Sequence, residues 1–231
     1  MKLSPRLQAV ADLVPNCQCI ADIGTDHAYL PIYLLKTKRI QKAIASDIHK
    51  GPASRAMNHL HNENLLSQAK VKIGAGLSIL NNESVNGAIM AGMGGLMIQS
   101  IMKDSPQICS RISWFILQPQ NHIPELRLWL QQNHYKIAKE LLAQEAERFY
   151  EILLVIHGEM KGFSLFDAEI GVTNSRYEDP LFVGYLKKII KKKELIIENI
   201  PMDTKNAQNL KKREKALDDK KRLEEILWKF T

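Results

Sequence analysis

Two apolar periodicities alternate along this chain. Leu3, Leu7, Val10, Ala11 and Val14 share one side of a helix over residues 4–14, with Ser4 as its cap and Pro5 in its first turn. Short apolar runs bounded by Asp, Gly or Pro then predict strands at Cys19–Gly24, Ala43–Asp47, Lys70–Ile73, Asn86–Ala91 and Trp114–Gln118. Helical spacing separates them, running to about Lys38, from Pro52 to about Asn64, from Leu96 to Met102 and from Pro124 to Asn133. Such alternation implies right-handed βαβ units and a parallel sheet covered on both faces. The last two runs, Tyr135–Leu142 and Phe149–His157, are joined by Glu145–Arg148. That link is too short for a crossover helix, so these two strands are predicted to pair antiparallel.

From about Pro180 the pattern changes. Phe182, Leu186, Ile189, Ile190, Ile197 and Ile200 keep a three/four spacing, Pro201–Thr204 breaks it, and Leu210, Leu217, Leu227 and Phe230 mark a second helix. The expected organisation is an α/β domain over 1–160, a linker over 161–179 and an antiparallel helical hairpin or coiled coil over 180–231. Charge follows the same division. The whole chain carries +7, and residues 184–231 hold 14 Lys and Arg against 8 Asp and Glu. A basic end on a near-neutral body suits either a solvated helical face or a polyanionic partner. Apolar runs are too short to span a bilayer, and no signal-peptide pattern opens the chain. Three cysteines without framework spacing fit a reducing, cytoplasmic setting, and Cys17 and Cys19 lack a second pair that would complete a zinc site.

Chemistry is expected beyond the carboxyl ends of the strands, where open parallel sheets bind ligands. The first strand ends in Asp22-Ile-Gly24, followed by Thr25, Asp26 and His27. Gly24 permits close backbone approach, whereas Asp26 and Ala28 stand where a dinucleotide fingerprint has glycines. A pyrophosphate would be repelled by Asp26; S-adenosylmethionine, with its sulfonium and α-ammonium, would suit Asp22 and Asp26. A plain helix cap by Thr25 or Asp26 is the alternative. Asp47 ends the second strand, where an acid accepts hydrogen bonds from ribose hydroxyls, and Ile48 follows it. Gly74, Ala75 and Gly76 follow the third strand and Ala91, Gly92, Met93 and Gly94 the fourth. Gln118, Pro119 and Asn121 follow the fifth, and amides there can offer a donor and an acceptor to a base edge. No GxSxG, P-loop or HExxH pattern is present.

In order, LSPRLQAVADLVP, ADIGTDHAYLP, AGMGG, LQPQ before a Trp-containing helix, and FYEILLV resemble the bacterial tRNA (adenine-N1)-methyltransferases that modify position 22. The resemblance covers about residues 2–157 and extends loosely into the basic hairpin. It implies a Rossmann-like class I methyltransferase sheet of seven strands, mostly parallel, and methyl transfer from S-adenosylmethionine to adenine N1 in tRNA. Ala75 departs from the Asp or Asn common in the family. Asp26, His27 and Tyr29 are then expected at the transfer centre. Asp22, Gly24, Asp26, His27, Asp47, Ile48, Gly74, Ala75, Gly76, Ala91, Gly92 and Met93 are expected around the cofactor. RNA contacts are assigned to Arg6, Tyr29, Gly94, Gln118, Pro119 and Asn121, and to Lys187, Lys188, Lys191 and Lys192 of the hairpin. A monomer or weak dimer, without metal or membrane, completes the expectation.

Overall fold

The computed structural model of the chain describes residues 1–204 and 206–230. Two compact units emerge, Met1–Arg176 and a second beginning at Tyr177. In the first, α1 (Pro5–Leu13) leads into β1 (Cys17–Ile23), α2 (Tyr29–Lys36), β2 (Ile40–Asp47), α3 (Lys50–Asn62) and β3 (Ala69–Ile73). A 3-10 turn (Gly76–Leu80) precedes β4 (Gly87–Met93), α4 (Gly95–Lys103), α5 (Pro106–Cys109), β5 (Trp114–Pro119) and α6 (Ile123–Gln132). The hairpin β6 (Tyr135–Glu145) and β7 (Arg148–His157) follows. The sheet order is β3-β2-β1-β4-β5-β7-β6. β1 through β5 run parallel, and β7 pairs antiparallel with both β5 and β6. The switch in strand order falls between β1 and β4, which opens a crevice at their carboxyl ends.

Strand alternation divides the core between the two faces. Ile20, Ile89 and Ile116 pack with Val10, Leu34 and Leu60 on one side; Ala21, Met90, Phe115 and Leu117 pack with Ile98 and Leu126 on the other. Burial on both faces explains why these strands read as continuous apolar runs. Ser4 caps α1 through its hydroxyl, as its position predicts.

Residues 161–179 differ from the expected linker. α7 (Leu165–Ile170) and α8 (Asn174–Tyr177) lie here, and the first unit continues through Arg176. Their anchor is a buried charge cluster. Arg127 of α6 donates to Glu140 at 2.8 Å, to Glu151 at 2.6 Å and to the Ala168 carbonyl at 2.8 Å. Glu140 accepts from the Val172 and Thr173 amides, and Arg176 reaches Glu151 at 3.0 Å. These partners are far apart in sequence, so no local period announces them. In the second unit, α9 (Phe182–Asn199) and α10 (Ala207–Trp228) run antiparallel. Phe182 at the start of α9 packs on Phe230 after α10, and Lys193 pairs with the buried Asp219 at 2.8 Å.

Candidate active site

β1 delivers Asp22 to the sheet's carboxyl rim, and the loop after it folds back onto β2. The Gly24 and Thr25 amides both donate to the Ser46 carbonyl at 2.8 Å. Gly24 has φ +77°, a conformation that costs a side-chain-bearing residue strain, and the Met93 methyl lies where its Cβ would be. Thr25 accepts from the Ala28 amide at 3.1 Å, so the threonine makes the local turn contact and Ala28 stands at the start of α2 with no side-chain cap. Asp22 is buried. Burial pushes its carboxyl up to about 6, partly offset by a hydrogen bond with Thr25. An acid desolvated in this way gains from a ligand cation.

A cavity of about 390 Å³ opens at this loop. Of the predicted residues, Arg6, Asp22, Gly24, Asp26, His27, Tyr29, Ala91 and Gly92 line it. Asp47 lies on the neighbouring rim, where its carboxylate accepts from the His49 amide at 2.8 Å and its carbonyl from the Gly74 amide at 3.0 Å. The turn at Gly74, Ala75 and Gly76 is thereby tied to the end of β2, with Ile48 and Ala75 exposed beside it. Asp47 does not line the cavity itself. A second cavity, about 430 Å³, lies at the opposite, amino ends of β1 to β3 beside Lys42, Lys70 and Glu83. It holds none of the predicted residues.

β4 extends through Met93, two residues further than the pattern predicts, with a register irregularity between Ala91 and Met93. The glycines after it serve close packing. Gly95 donates to the Asn121 carbonyl at 3.0 Å, and a Cβ on Gly94 would meet the Asn121 amide oxygen at 2.9 Å. This loop is therefore a braced one. Gln118 requires a correction: it is fully buried, and both ends of its amide are engaged. Its oxygen accepts from Arg6 at 2.8 Å and from the Gly92 amide at 3.1 Å, and its nitrogen donates to the Pro119 carbonyl at 3.0 Å. It braces Arg6 and the β4 end and cannot present itself to a base. Pro119 is likewise buried, within β5. Asn121 is exposed on the rim, and Gln120, the second glutamine of the LQPQ motif, lines the cavity.

The loop's polar tip carries a constellation that the motif reading captures only in part. Asp26 is held by Arg55 of α3, whose Nε donates at 2.9 Å with a closer second contact from the same guanidinium. The other Asp26 oxygen stands 3.3 Å from His27 Nε2. The rings of His27, Tyr29 and His59 stack on one another at 5.0–5.4 Å. His59 Nδ1 lies 3.0 Å from the His27 carbonyl, which can only accept, so that nitrogen carries the proton. Arg55 and His59 sit one turn apart on α3, a spacing that places both on one face; only the fold shows that this face meets the loop. Lys187, Lys191 and Lys192 are exposed on α9 and Lys188 is half-buried, all in the second unit.

A methyltransferase-domain family model matches residues 3–153. The Bacillus subtilis tRNA (adenine(22)-N(1))-methyltransferase is 30% identical over 98% of both chains. The chain belongs to this family of bacterial tRNA (adenine(22)-N1)-methyltransferases. Streptococcus pneumoniae Sp1610, solved in complex with S-adenosyl-L-methionine, is 32% identical with a TM-score of 0.86, covering 98% of this chain and 100% of that one. M. capricolum TrmK, solved with S-adenosyl-homocysteine, is 28% identical with a TM-score of 0.82 over 98% and 100%. Family membership accounts for the seven-stranded sheet and for helices after it. Among the described residues, no cluster of three or more His, Cys, Asp or Glu is placed to hold a metal ion, and no helix is long and apolar enough to cross a membrane.

Proposed function

We propose that this protein transfers a methyl group from S-adenosylmethionine to N1 of adenine 22 in tRNA, in the cytoplasm and as a monomer or weak dimer. The observation that carries this reading is the match to the Bacillus subtilis enzyme over 98% of both chains, hairpin helices included. When bound, S-adenosylmethionine supplies an electrophilic methyl on a sulfonium. Asp22 holds positive charge of this ligand at the end of β1. Asp47 takes the ribose hydroxyls, and the backbone of Gly74 to Gly76 reads the adenine edge, with Ile48 packing beside it. Met93 and Gly94 shape the space between the methyl and the target base.

Neutral adenine N1 has a free lone pair, so the protein need not remove a proton before attack; its tasks are alignment and electrostatics. Tyr29, exposed and stacked on His27, offers a flat surface for the target base. Asp26 and His27 border that surface, where positive charge appears on the methylated ring. Extracting the base from a folded tRNA costs a few kcal/mol, roughly, and phosphate contacts from Arg6 and the lysines of α9 offset it. The test is transfer of labelled methyl to an unmodified tRNA transcript, with the product located by a reverse-transcription stop. A stop at position 22, absent when that adenine is replaced by guanine, is expected. Cofactor binding without transfer to any tRNA would overturn the reading.

A further inference from the structure

Arg55 is in no sequence motif, yet its guanidinium occupies the Asp26 carboxylate on the rim of the cavity. α3 grips the loop twice, in two different ways. His59 holds it through the His27 carbonyl and through ring stacking, contacts that leave the loop's charge unchanged. Arg55 instead cancels the charge of Asp26. That pair is accessible, with side-chain exposures of 48% for Arg55 and 56% for Asp26. Exposed ion pairs contribute little net stability, so a competing anion can take over the guanidinium. The planar fork that fits a carboxylate fits a phosphate equally well.

Methyl transfer to N1 forms the C–N bond as the C–S bond breaks, and positive charge moves from sulfur onto the adenine ring. While Arg55 covers it, Asp26 does little for that new cation. Resting on the tRNA reading above, we propose that Arg55 is a phosphate-responsive latch. A backbone phosphate of bound tRNA replaces Asp26 as the partner of Arg55, and the uncovered carboxylate then stabilises the cationic adenine. Arg55 is thus a positioning residue that couples RNA engagement to the electrostatics of the transfer centre.

The test uses the full chain, an unmodified tRNA transcript and steady-state kinetics between roughly 50 and 200 mM salt, with the thermal unfolding of each variant as the check on folding. Arg55→Ala should raise KM for tRNA several-fold without lowering kcat. It should also reduce the slope of log(kcat/KM) against log salt by about 0.9, the equivalent of one phosphate. Arg55→Lys, which keeps a phosphate-binding charge, should retain the slope and serves as the second variant. Asp26→Asn should lower kcat at least tenfold with the slope unchanged. An Arg55→Ala enzyme that loses kcat as Asp26→Asn does, with its salt slope intact, would overturn the latch and leave Arg55 as a fixed support of Asp26. A wild-type chain that binds cofactor but methylates no tRNA would overturn the tRNA reading first, and the latch with it.

Discussion

Burial raises the Asp22 carboxyl to about 6, against an ordinary aspartate near 4, and the Thr25 hydrogen bond recovers part of the loss. A carboxyl raised in the fold contributes stability at low pH, and that contribution is lost as pH rises through about 6. At neutral pH the cofactor-free protein therefore carries an ionised, desolvated acid at a cost of about 3 kcal/mol. Asp22→Asn should raise the Tm of the cofactor-free protein at neutral pH by several degrees while it weakens S-adenosylmethionine binding at least tenfold. Binding to the native protein should also fall off as pH drops below about 6, and the Asn variant should show a flat profile over that range; calorimetric titration reads both. Gly24→Ala meets two obstacles, a φ of +77° and the Met93 methyl. Strain of about 1–3 kcal/mol is expected, with cofactor affinity reduced more than Tm because the displaced loop forms the cavity wall.

At the scale of elements, the α7–α8 segment is held by charge as well as by the buried apolar side chains of Phe166, Ala168 and Ile170. Burial alone would raise the Glu140 carboxyl, but Arg127 and Arg176, with the backbone amide of Val172, bring it down to about 2. A carboxyl lowered in the fold contributes stability above the unfolded value near 4.5, and that contribution disappears as pH falls toward 2. Arg127→Met should cost roughly 3–5 kcal/mol at neutral pH, because it leaves the buried Glu140 and Glu151 with Arg176 as the one guanidinium beside them both. The deficit should narrow toward pH of about 4 as Glu140, without Arg127 to hold it down, takes up a proton. Denaturant unfolding at the two pH values measures this, and an equal deficit at both would contradict it. The segment should also exchange its amides faster in the variant.

At the scale of the molecule, charge separates from chemistry: the cavity belongs to the first unit and the lysine-rich face of α9 to the second. The triple substitution of Lys187, Lys191 and Lys192 by Ala removes exposed cations and leaves the apolar stripe of α9 intact. Weaker tRNA binding is expected, with a salt dependence shallower by up to about 0.9 for each phosphate no longer neutralised, and unchanged cofactor affinity. Filter binding over a salt series, beside calorimetry with the cofactor, separates the two. An unchanged salt slope would move the RNA-binding surface away from this face.

Sequence by itself determined the alternation of strands and helices, the antiparallel closing pair and the rim positions of Asp22, Gly24 and Asp47. These depend on local periodicity, on short connections and on the rule that parallel strands end at the ligand-binding edge. Tertiary structure decided the rest. Gln118 reads as a base-reading amide because polarity alone does not reveal burial; the fold closes over it and assigns its amide to Arg6, Gly92 and Pro119. Arg55 and His59 lie within a predicted helix and in no motif, and only the packing of α3 beside the first loop joins them to Asp26 and His27. Residues 161–179 read as a linker because the partners of Arg127, Glu140, Glu151 and Arg176 lie on different elements. Interactions between residues distant in sequence have no period to leave in it, and most of the polar architecture around this cavity is made of such interactions.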